Sequence, residues 1–306
     1  MLRSMYQKAH KPRLYGLGVF LLFLLIVEIV MTCVIPMWRS YFYDILQNKN
    51  QALFATSMVY FILVVGSLGM AQGLKQWVSR MLSFELRQAG TKVIMKPWTK
   101  LPNKNIKNYT QAMTESLRNS TELFLDSAME IFISGFIVIV LLIQNLHNTM
   151  IVLAALGYTL VVSILALVFN KPMIRSDRKW QEAEGTFREA LYDIAKEKGD
   201  YTSKEKFKSL AFNYYRYIKV VMGFTLFTRM KGSLGTLVPY ALLASSFFAG
   251  TISLGDFMGA VSTFELIVVN STILLIIYPN LNRARASYAI SKKFFEEVQN
   301  ESIKGS

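Results

Sequence analysis

Long apolar stretches recur along the chain, separated either by short polar turns or by longer charged segments. A helix needs about 20 apolar residues to cross about 30 Å of hydrocarbon. Stretches of this length occur at about residues 15–37, 53–75, 124–144, 149–170, 220–250 and 257–279. The pattern predicts an all-α integral membrane protein with six transmembrane helices in a single transmembrane domain, residues 1–290, and a short cytoplasmic tail, residues 291–306.

The basic residues predict which ends of the helices face the cytoplasm, because Lys and Arg are enriched in cytoplasmic loops. Connections 72–121 and 170–219 carry nine and twelve Lys or Arg residues. Turns 144–149 and 251–256 carry none, and the connection at 38–52 carries two. We therefore expect both termini and both long connections to lie in the cytoplasm.

The two long connections are predicted to continue the membrane helices for several turns, because apolar residues recur in them at helical spacing. Each connection also contains a break. Residues 96–105 include two prolines, which end helices. Residues 196–205 include Gly199, which can end one helix, and Thr202 or Ser203, either of which can cap the next. We expect the helices to reverse direction at these two breaks.

Aromatic residues crowd the end of the first apolar stretch. Trp38, Tyr41, Phe42 and Tyr43 precede the polar sequence DILQNKN, residues 44–50. Amphipathic rings favour the boundary between lipid and water. These rings are therefore predicted at the outer boundary, with DILQNKN forming the turn to the second helix.

The composition agrees with a separation of apolar and charged parts. The 306 residues are 53% hydrophobic and carry a net charge of +14, which a soluble domain accommodates poorly. Basic residues beside an anionic lipid leaflet explain this charge without nucleic-acid binding. The chain has one cysteine and two distant histidines, and it shows no nucleophile–base set or cofactor loop. The sequence thus argues against an enzyme and predicts no cofactor and no metal site.

Several motifs occur in the order seen in one transporter family. WRSYFYDILQ, residues 38–47, resembles the W-x-x-x-F-Y-D signature that follows the first helix of the SbmA/BacA peptide transporters and their ABC-transporter relatives. AEGTFREAL, residues 183–191, resembles the E-x-x-[FY]-R segment of these proteins, with its acidic position at Glu184. NYYRY, residues 213–217, and FFAGTISLGDFM, residues 247–258, resemble their fifth helix, the following turn and the start of the sixth helix.

This resemblance covers nearly the whole chain and implies a transmembrane domain of the type IV ABC exporter fold, assembled as a domain-swapped homodimer. No G-x-x-x-x-G-K-[ST] phosphate loop occurs in the sequence, so the chain is not expected to hydrolyse ATP by itself. The resemblance then implies the SbmA/BacA branch, whose members lack an ATPase domain and use the proton gradient. It also implies a location in the inner membrane of a bacterial cell and uptake of peptides and peptide-like antibiotics into the cytoplasm.

Two other functions are compatible with the same pattern. One is the transmembrane subunit of an ATP-driven transporter whose ATPase is a separate chain, docked on residues 97–102 and 199–203. The other is a membrane-anchored assembly or immunity factor that uses its basic face as a scaffold.

Ionisable side chains within membrane spans are functional candidates, because inserting each one costs about 2.5–3.5 kcal/mol. The acidic candidates for proton coupling are Glu28, Glu122, Asp126, Glu130, Glu184 and Glu265. The spacing of Glu122, Asp126 and Glu130 places their side chains in one stripe along a helix. We predict that alanine at Glu184, Glu130 or Glu265 spares membrane insertion and abolishes uptake.

Four of the acidic candidates also have a structural alternative. Glu122 and Asp126 could be solvated or paired with Arg118, and Glu28 could pair with Arg229 or Lys231. Glu184 could form a local helical pair with Arg188, four residues later. Candidate residues for the lining of the substrate cavity are Arg229, Lys231, Tyr214 and Tyr217, with packing against neighbouring helices or lipid as the alternative for the tyrosines.

Overall fold

The computed structural model describes residues 11–99, 112–146, 148–195 and 203–304. Within this part of the chain the secondary structure is helical, and no strand occurs. The helices are α1 (Lys11–Gln47), α2 (Gln51–Trp98), α3 (Leu117–Gln144), α4 (Thr149–Ala195), α5 (Ser203–Phe248) and α6 (Leu254–Lys304). A short π-helix, Ala112–Ser116, leads directly into α3.

Five of the predicted spans lie inside longer helices, whereas span 220–250 runs two residues past the end of α5 at Phe248. The helices continue beyond the apolar stretches at one end or both, and residues 291–304 extend α6. The first turn is also shorter than the sequence indicated. Helix α1 continues through the aromatic residues as far as Gln47, and the chain reverses at Asn48, Lys49 and Asn50. Lys49 adopts a left-handed conformation, with φ of 51°, and the Asn50 amide donates to the Ile45 carbonyl at 3.0 Å.

Five of these helices are long and apolar enough to cross a membrane: α1, α2, α3, α4 and α6. Helix α5, which contains nearly all of the predicted span 220–250, is not among them. Arg229 and Lys231 interrupt its apolar run. Together these helices indicate a multi-pass membrane protein, with the sixth span remaining a prediction.

The chain divides into two compact units. Unit 1 comprises residues 1–152 and 246–306, and unit 2 comprises residues 153–245. In unit 2, α4 and α5 run antiparallel, because residues later in α4 contact residues earlier in α5. The aromatic contacts that show this are Phe169 with Phe227, Trp180 with Tyr217, and Phe187 with Phe207.

In unit 1, α1 and α2 form an antiparallel hairpin. Near the turn, Trp38 of α1 donates from Nε1 to the Ser57 carbonyl of α2 at 2.9 Å and stacks on Phe61 with ring centroids 4.1 Å apart. At the other end of the hairpin, Arg13 pairs with Glu85 at 3.0 Å. The indole N–H of Trp38 therefore has its hydrogen-bond acceptor on the neighbouring helix α2.

Helix α6 approaches α1 very closely at its amino-terminal end. The Gly255 amide donates to Asp44 Oδ1 at 2.9 Å, and the Leu254 amide donates to Gln47 Oε1 at 2.7 Å. These two side chains satisfy amides that a helix start leaves without a partner. A Cβ at Gly255 would overlap the Ser40 carbonyl oxygen and the Asp44 carboxyl group. The close approach of the two helices therefore requires glycine at this position.

These contacts place the turn after α1, the turn after α3 and the start of α6 on one side of unit 1, called here the turn side. At the opposite end, Ile94 near the end of α2 packs with Phe294 and Val298 near the end of α6. Leu117 at the start of α3 packs with Val93 and Phe295 at the same end. The short turns thus share one side, as the charge pattern predicted.

Candidate functional site

A buried ion pair joins the first two helices. The side chains of Glu28 in α1 and Lys75 in α2 are only 8% and 9% exposed, and Glu28 Oε2 lies 2.8 Å from Lys75 Nζ. This oxygen has no hydrogen bond of acceptable geometry, so charge attraction makes the contact. Gln72 donates from Nε2 to the other Glu28 oxygen at 3.1 Å. Because an unpaired buried ion is very costly, each charge requires the other.

A second carboxylate shares the same lysine. Lys75 donates from Nζ to Glu130 Oε1 of α3 at 3.4 Å. The Glu130 side chain is 44% exposed, so it is far more accessible than Glu28. Lys75 therefore links three helices through two carboxylates that have different environments.

Further along α2, Arg80 forms ion pairs with Glu122 and Asp126, the other two acidic residues of the α3 stripe. Its guanidinium lies 3.3 Å from Glu122 Oε2 and 3.1 Å from Asp126 Oδ2. Ser79 donates from Oγ to Asp126 Oδ1 at 3.1 Å. All three acidic side chains of the stripe thus face cations of α2. The cation that pairs with Glu122 and Asp126 is Arg80, and not Arg118 as considered from the sequence.

We call this set the ion-pair ladder; its members are Glu28, Lys75, Glu130, Arg80, Asp126 and Glu122. It contains four carboxylates and two cations, so its formal charge is −2 when every group is ionised. At 1.5 Å per residue, Glu130 lies about 21 Å, Glu28 about 28 Å and Lys75 about 36 Å from the turn-side ends of their helices. The contacts of Lys75 therefore lie about 20 Å or more from the turn side.

A separate ion pair lies closer to the turn side. Arg39 of α1 is 3.4 Å from Glu265 of α6, and both side chains are more than one-third exposed. Arg39 and Glu28 are eleven residues apart on α1, which corresponds to about 16 Å along the helix. Helix α1 therefore takes part in two ion pairs, which lie about 16 Å apart along its axis.

A comparison with protein-family models matches residues 13–298 to the SbmA/BacA-like family. The chain belongs to the SbmA/BacA-like family. This match spans nearly the whole chain and confirms the resemblance seen in its motifs. A comparison with curated individual proteins found no match. Membership of the SbmA/BacA-like family, together with the apolar helices, indicates a membrane peptide transporter.

Two of the motifs that resemble the SbmA/BacA family contact each other in unit 1. Asp44 closes the F-Y-D sequence after the first span, and Gly255 belongs to the G-T-I-S-L-G turn before α6. The hydrogen bond between them explains why these two short sequences carry an acidic residue and a glycine. Because Asp44 and Gly255 are more than 200 residues apart, the sequence did not indicate that they are in contact.

The remaining predicted site residues lie in unit 2. Glu184 is half-buried on α4, and no ion pair with Arg188 forms among the described residues. Tyr217 stacks on Trp180 with ring centroids 5.1 Å apart, and Tyr214 lies at the edge of the same cluster. Both tyrosine rings therefore contact Trp180 on the neighbouring helix α4.

The two predicted cavity cations differ in exposure. Arg229 is exposed on α5, whereas Lys231 is half-buried and its main-chain carbonyl accepts a hydrogen bond from Tyr158 at 2.5 Å. The partner of Glu28 is Lys75, and not one of these two cations.

The two cations of the ladder were not predicted from the sequence as site residues. Lys75 and Arg80 were counted only as part of the basic connection 72–121, because Lys75 falls at the end of an apolar stretch. A signal was available, since Gln72, Lys75 and Ser79 share one helical face with spacings of three and four residues. That spacing indicates a polar face on α2 but not the helix that it contacts.

Proposed function

We propose that this member of the SbmA/BacA-like family imports peptides and peptide-like antibiotics across the bacterial inner membrane, driven by the proton gradient. Family membership supports a peptide cargo. The ion-pair ladder supports proton coupling and is the observation that carries the proposal. Both termini face the cytoplasm, as the distribution of basic residues predicts.

The ladder suits proton coupling because it holds more carboxylates than cations. A carboxylate can pair with a cation or bind a proton, and protonation weakens its attraction to the cation. Gain and loss of a proton would therefore make and break contacts that join α1, α2 and α3. In a transport cycle, these alternating contacts would favour different arrangements of the helices.

The working form is a homodimer. A cavity for bulky peptides needs more walls than six helices supply, and two identical chains meet this need with two-fold symmetry. Arg229, Lys231, Tyr214 and Tyr217 are proposed to contribute to the cavity lining. The amphipathic tyrosine rings and the two cations offer apolar and charged contacts to varied peptides.

Uptake into proteoliposomes tests this function. The purified chain is reconstituted without ATP, a proton gradient is imposed, and entry of a fluorescently labelled peptide is measured. We expect gradient-dependent uptake that a protonophore abolishes. The proposal is wrong if wild-type protein shows no such uptake, and uptake that requires ATP and an added ATPase chain would favour the ATP-driven alternative.

Neutral variants identify the coupling residues. Glu130→Gln, Glu265→Gln and Glu184→Gln are each expected to reduce gradient-driven uptake at least tenfold while leaving the protein in the membrane. Glu182→Gln is the matched control, because Glu182 lies on an exposed face of α4 and pairs with Arg178 only four residues away. Wild-type uptake in all three variants would contradict a coupling role for these residues.

A further inference from the structure

One face of α4 lies away from the helix that α4 packs against in unit 2. Phe169, Trp180 and Phe187 contact α5 and share one side of α4. A second set of residues lies within an arc of about 100°, whose centre is about 130° or more away from that side at 3.6 residues per turn. We call this set the lateral face of α4; its members are Leu160, Ile164, Val168, Lys171, Arg175 and Lys179.

The first half of the lateral face is apolar and exposed. Leu160, Ile164 and Val168 are 62%, 55% and 62% exposed. An exposed apolar patch on a helix long enough to span a membrane marks a contact with lipid or with another protein. From Leu160 to Lys171 the helix rises about 16 Å, which is about half of the thickness of the hydrocarbon. The apolar half therefore matches the acyl chains of one leaflet in length.

The second half of the lateral face is a basic row. Lys171, Arg175 and Lys179 are exposed and follow one another at intervals of four residues, so the row is about 12 Å long. None of the three forms an ion pair within the part of the chain that the structure describes. The nearby Arg178, in contrast, pairs with Glu182 at 3.0 Å. The basic row thus carries positive charge that the described chain does not neutralise.

The change from apolar to basic residues occurs where lipid headgroups are expected. Helix α4 begins at Thr149, and Lys171 lies 22 residues later, about 33 Å along the axis. Crossing about 30 Å of hydrocarbon from Thr149 brings the helix to the opposite lipid–water boundary at Lys171. The stacked rings of Trp180 and Tyr217 follow just beyond this level, where amphipathic rings are favoured. Lys171 and Arg175 therefore lie at the level of lipid phosphates.

We propose that the lateral face of α4 binds an anionic phospholipid. Lys171 and Arg175 bind its phosphate oxygens, because ammonium and guanidinium groups donate strong hydrogen bonds to phosphate. Ile164 and Val168 contact its acyl chains, and Lys179 attracts the outer part of the headgroup. The site selects lipids of net negative charge, since the basic row repels the cationic group of a zwitterionic headgroup. Lipid binding at this face is independent of the proposed transport function.

A phospholipid satisfies both halves of the lateral face, whereas other occupants satisfy one half. A soluble phosphate would pair with the basic row and leave the apolar half without a partner. A second copy of the chain that contacted this face by two-fold symmetry would bring the same cations together, which is unfavourable. A phospholipid supplies apolar chains and negative charge in the order in which the face presents their partners.

Site-specific fluorescence quenching in vesicles tests the proposal on the full chain. A fluorophore is attached to Val168→Cys, and the native Cys33 is buried and so competes little for the label. Phosphatidylcholine vesicles contain equal amounts of either brominated phosphatidylglycerol or brominated phosphatidylcholine, and quenching reports which lipid lies beside the label. We expect a preference of about tenfold or more for phosphatidylglycerol, because each Lys or Arg near an anionic lipid contributes about fivefold. A label on Leu153→Cys, which is exposed near the other end of the span, should show no preference.

Neutral variants show which cations create the preference. The test variant removes the basic row through three substitutions, Lys171→Gln, Arg175→Gln and Lys179→Gln. The control variant removes an equal charge from exposed residues of the same two helices through Arg188→Gln, Lys204→Gln and Lys208→Gln. Contact between Phe187 and Phe207 places the control residues about 10 Å or more beyond Lys179. The test variant should lower the preference to about twofold or less, and the control variant should keep it.

Equal quenching of the Val168→Cys label by the two lipids would overturn the proposal. An unchanged preference in the test variant, or an equal loss in the control variant, would also overturn it, because the basic row would then not be the selective element. Loss of the preference on adding inorganic phosphate at constant ionic strength would indicate a soluble anion as the ligand instead. Absence of quenching by either lipid would show that a second copy of the chain, or another part of the same chain, covers the face.

Discussion

Gly255 lies where the start of α6 meets the end of α1, and replacing it by alanine should destabilise the protein. The added Cβ would overlap the Ser40 main-chain oxygen and the Asp44 carboxyl group. Main chain cannot move aside as a flexible side chain can. Overpacking of this kind costs about 1–3 kcal/mol, and disturbing the hydrogen bond from the Gly255 amide to the Asp44 carboxylate costs about 1.5–3 kcal/mol.

Alanine also has a higher helix propensity than glycine, which offsets about 1 kcal/mol of this loss. The net expectation for Gly255→Ala is a decrease of about 2–4 kcal/mol in the free energy of unfolding, from these terms together. Gly259→Ala should lose less, because its Cβ would lie 2.9 Å from the Ser40 Cβ atom. Gly66→Ala should be neutral or slightly stabilising, since its Cβ would meet no atom within 4 Å.

Denaturant unfolding in detergent, followed by circular dichroism, measures the three variants under one set of conditions. The expected order of stability is Gly66→Ala, then Gly259→Ala, then Gly255→Ala. This order depends only on the close approach of α1 and α6, and not on any transport activity. A Gly255→Ala protein as stable as Gly66→Ala would refute the close approach and the role assigned to Asp44.

Two further predictions test the orientation of the chain and the burial of its charges. A membrane-impermeant maleimide should label Lys49→Cys in intact cells but Glu297→Cys only after permeabilisation. Background labelling should be low because the native Cys33 is buried. Labelling of both variants in intact cells would contradict the orientation. Lys75→Met should lower the free energy of unfolding by about 3–5 kcal/mol by leaving a buried carboxylate without its cation. Arg80→Gln should cost less than about 1 kcal/mol, because its ion pairs are accessible to solvent, and equal losses in the two variants would contradict their different burial.

Much of the secondary structure could be predicted from the sequence, because long apolar runs and helical spacing are local properties. The spacing of Glu122, Asp126 and Glu130 correctly indicated one polar stripe on one helix. The limits of the helices were less predictable. Helix α1 continues past Trp38 because the Trp38 indole and ring contacts are satisfied by α2, a condition that the local sequence does not reveal.

The candidate site was predictable in its acidic residues and not in its cations. Glu28 and Glu130 stood out because a charge inside an apolar run is rare and costly. Lys75 did not stand out, because a lysine at the end of an apolar run is ordinary in a membrane protein. Its burial and its two partners arise only where three helices meet.

The sequence by itself determined the class of protein and the helical stretches, and it predicts on which side of the membrane their connections lie, since hydrophobicity and charge act on each segment separately. Only the tertiary structure decided that Asp44 caps α6, that Gly255 must be a glycine and that Lys75 serves both Glu28 and Glu130. Such pairings join residues tens to hundreds of positions apart. They depend on the register between packed helices, and the periodicity of a single helix contains no information about that register.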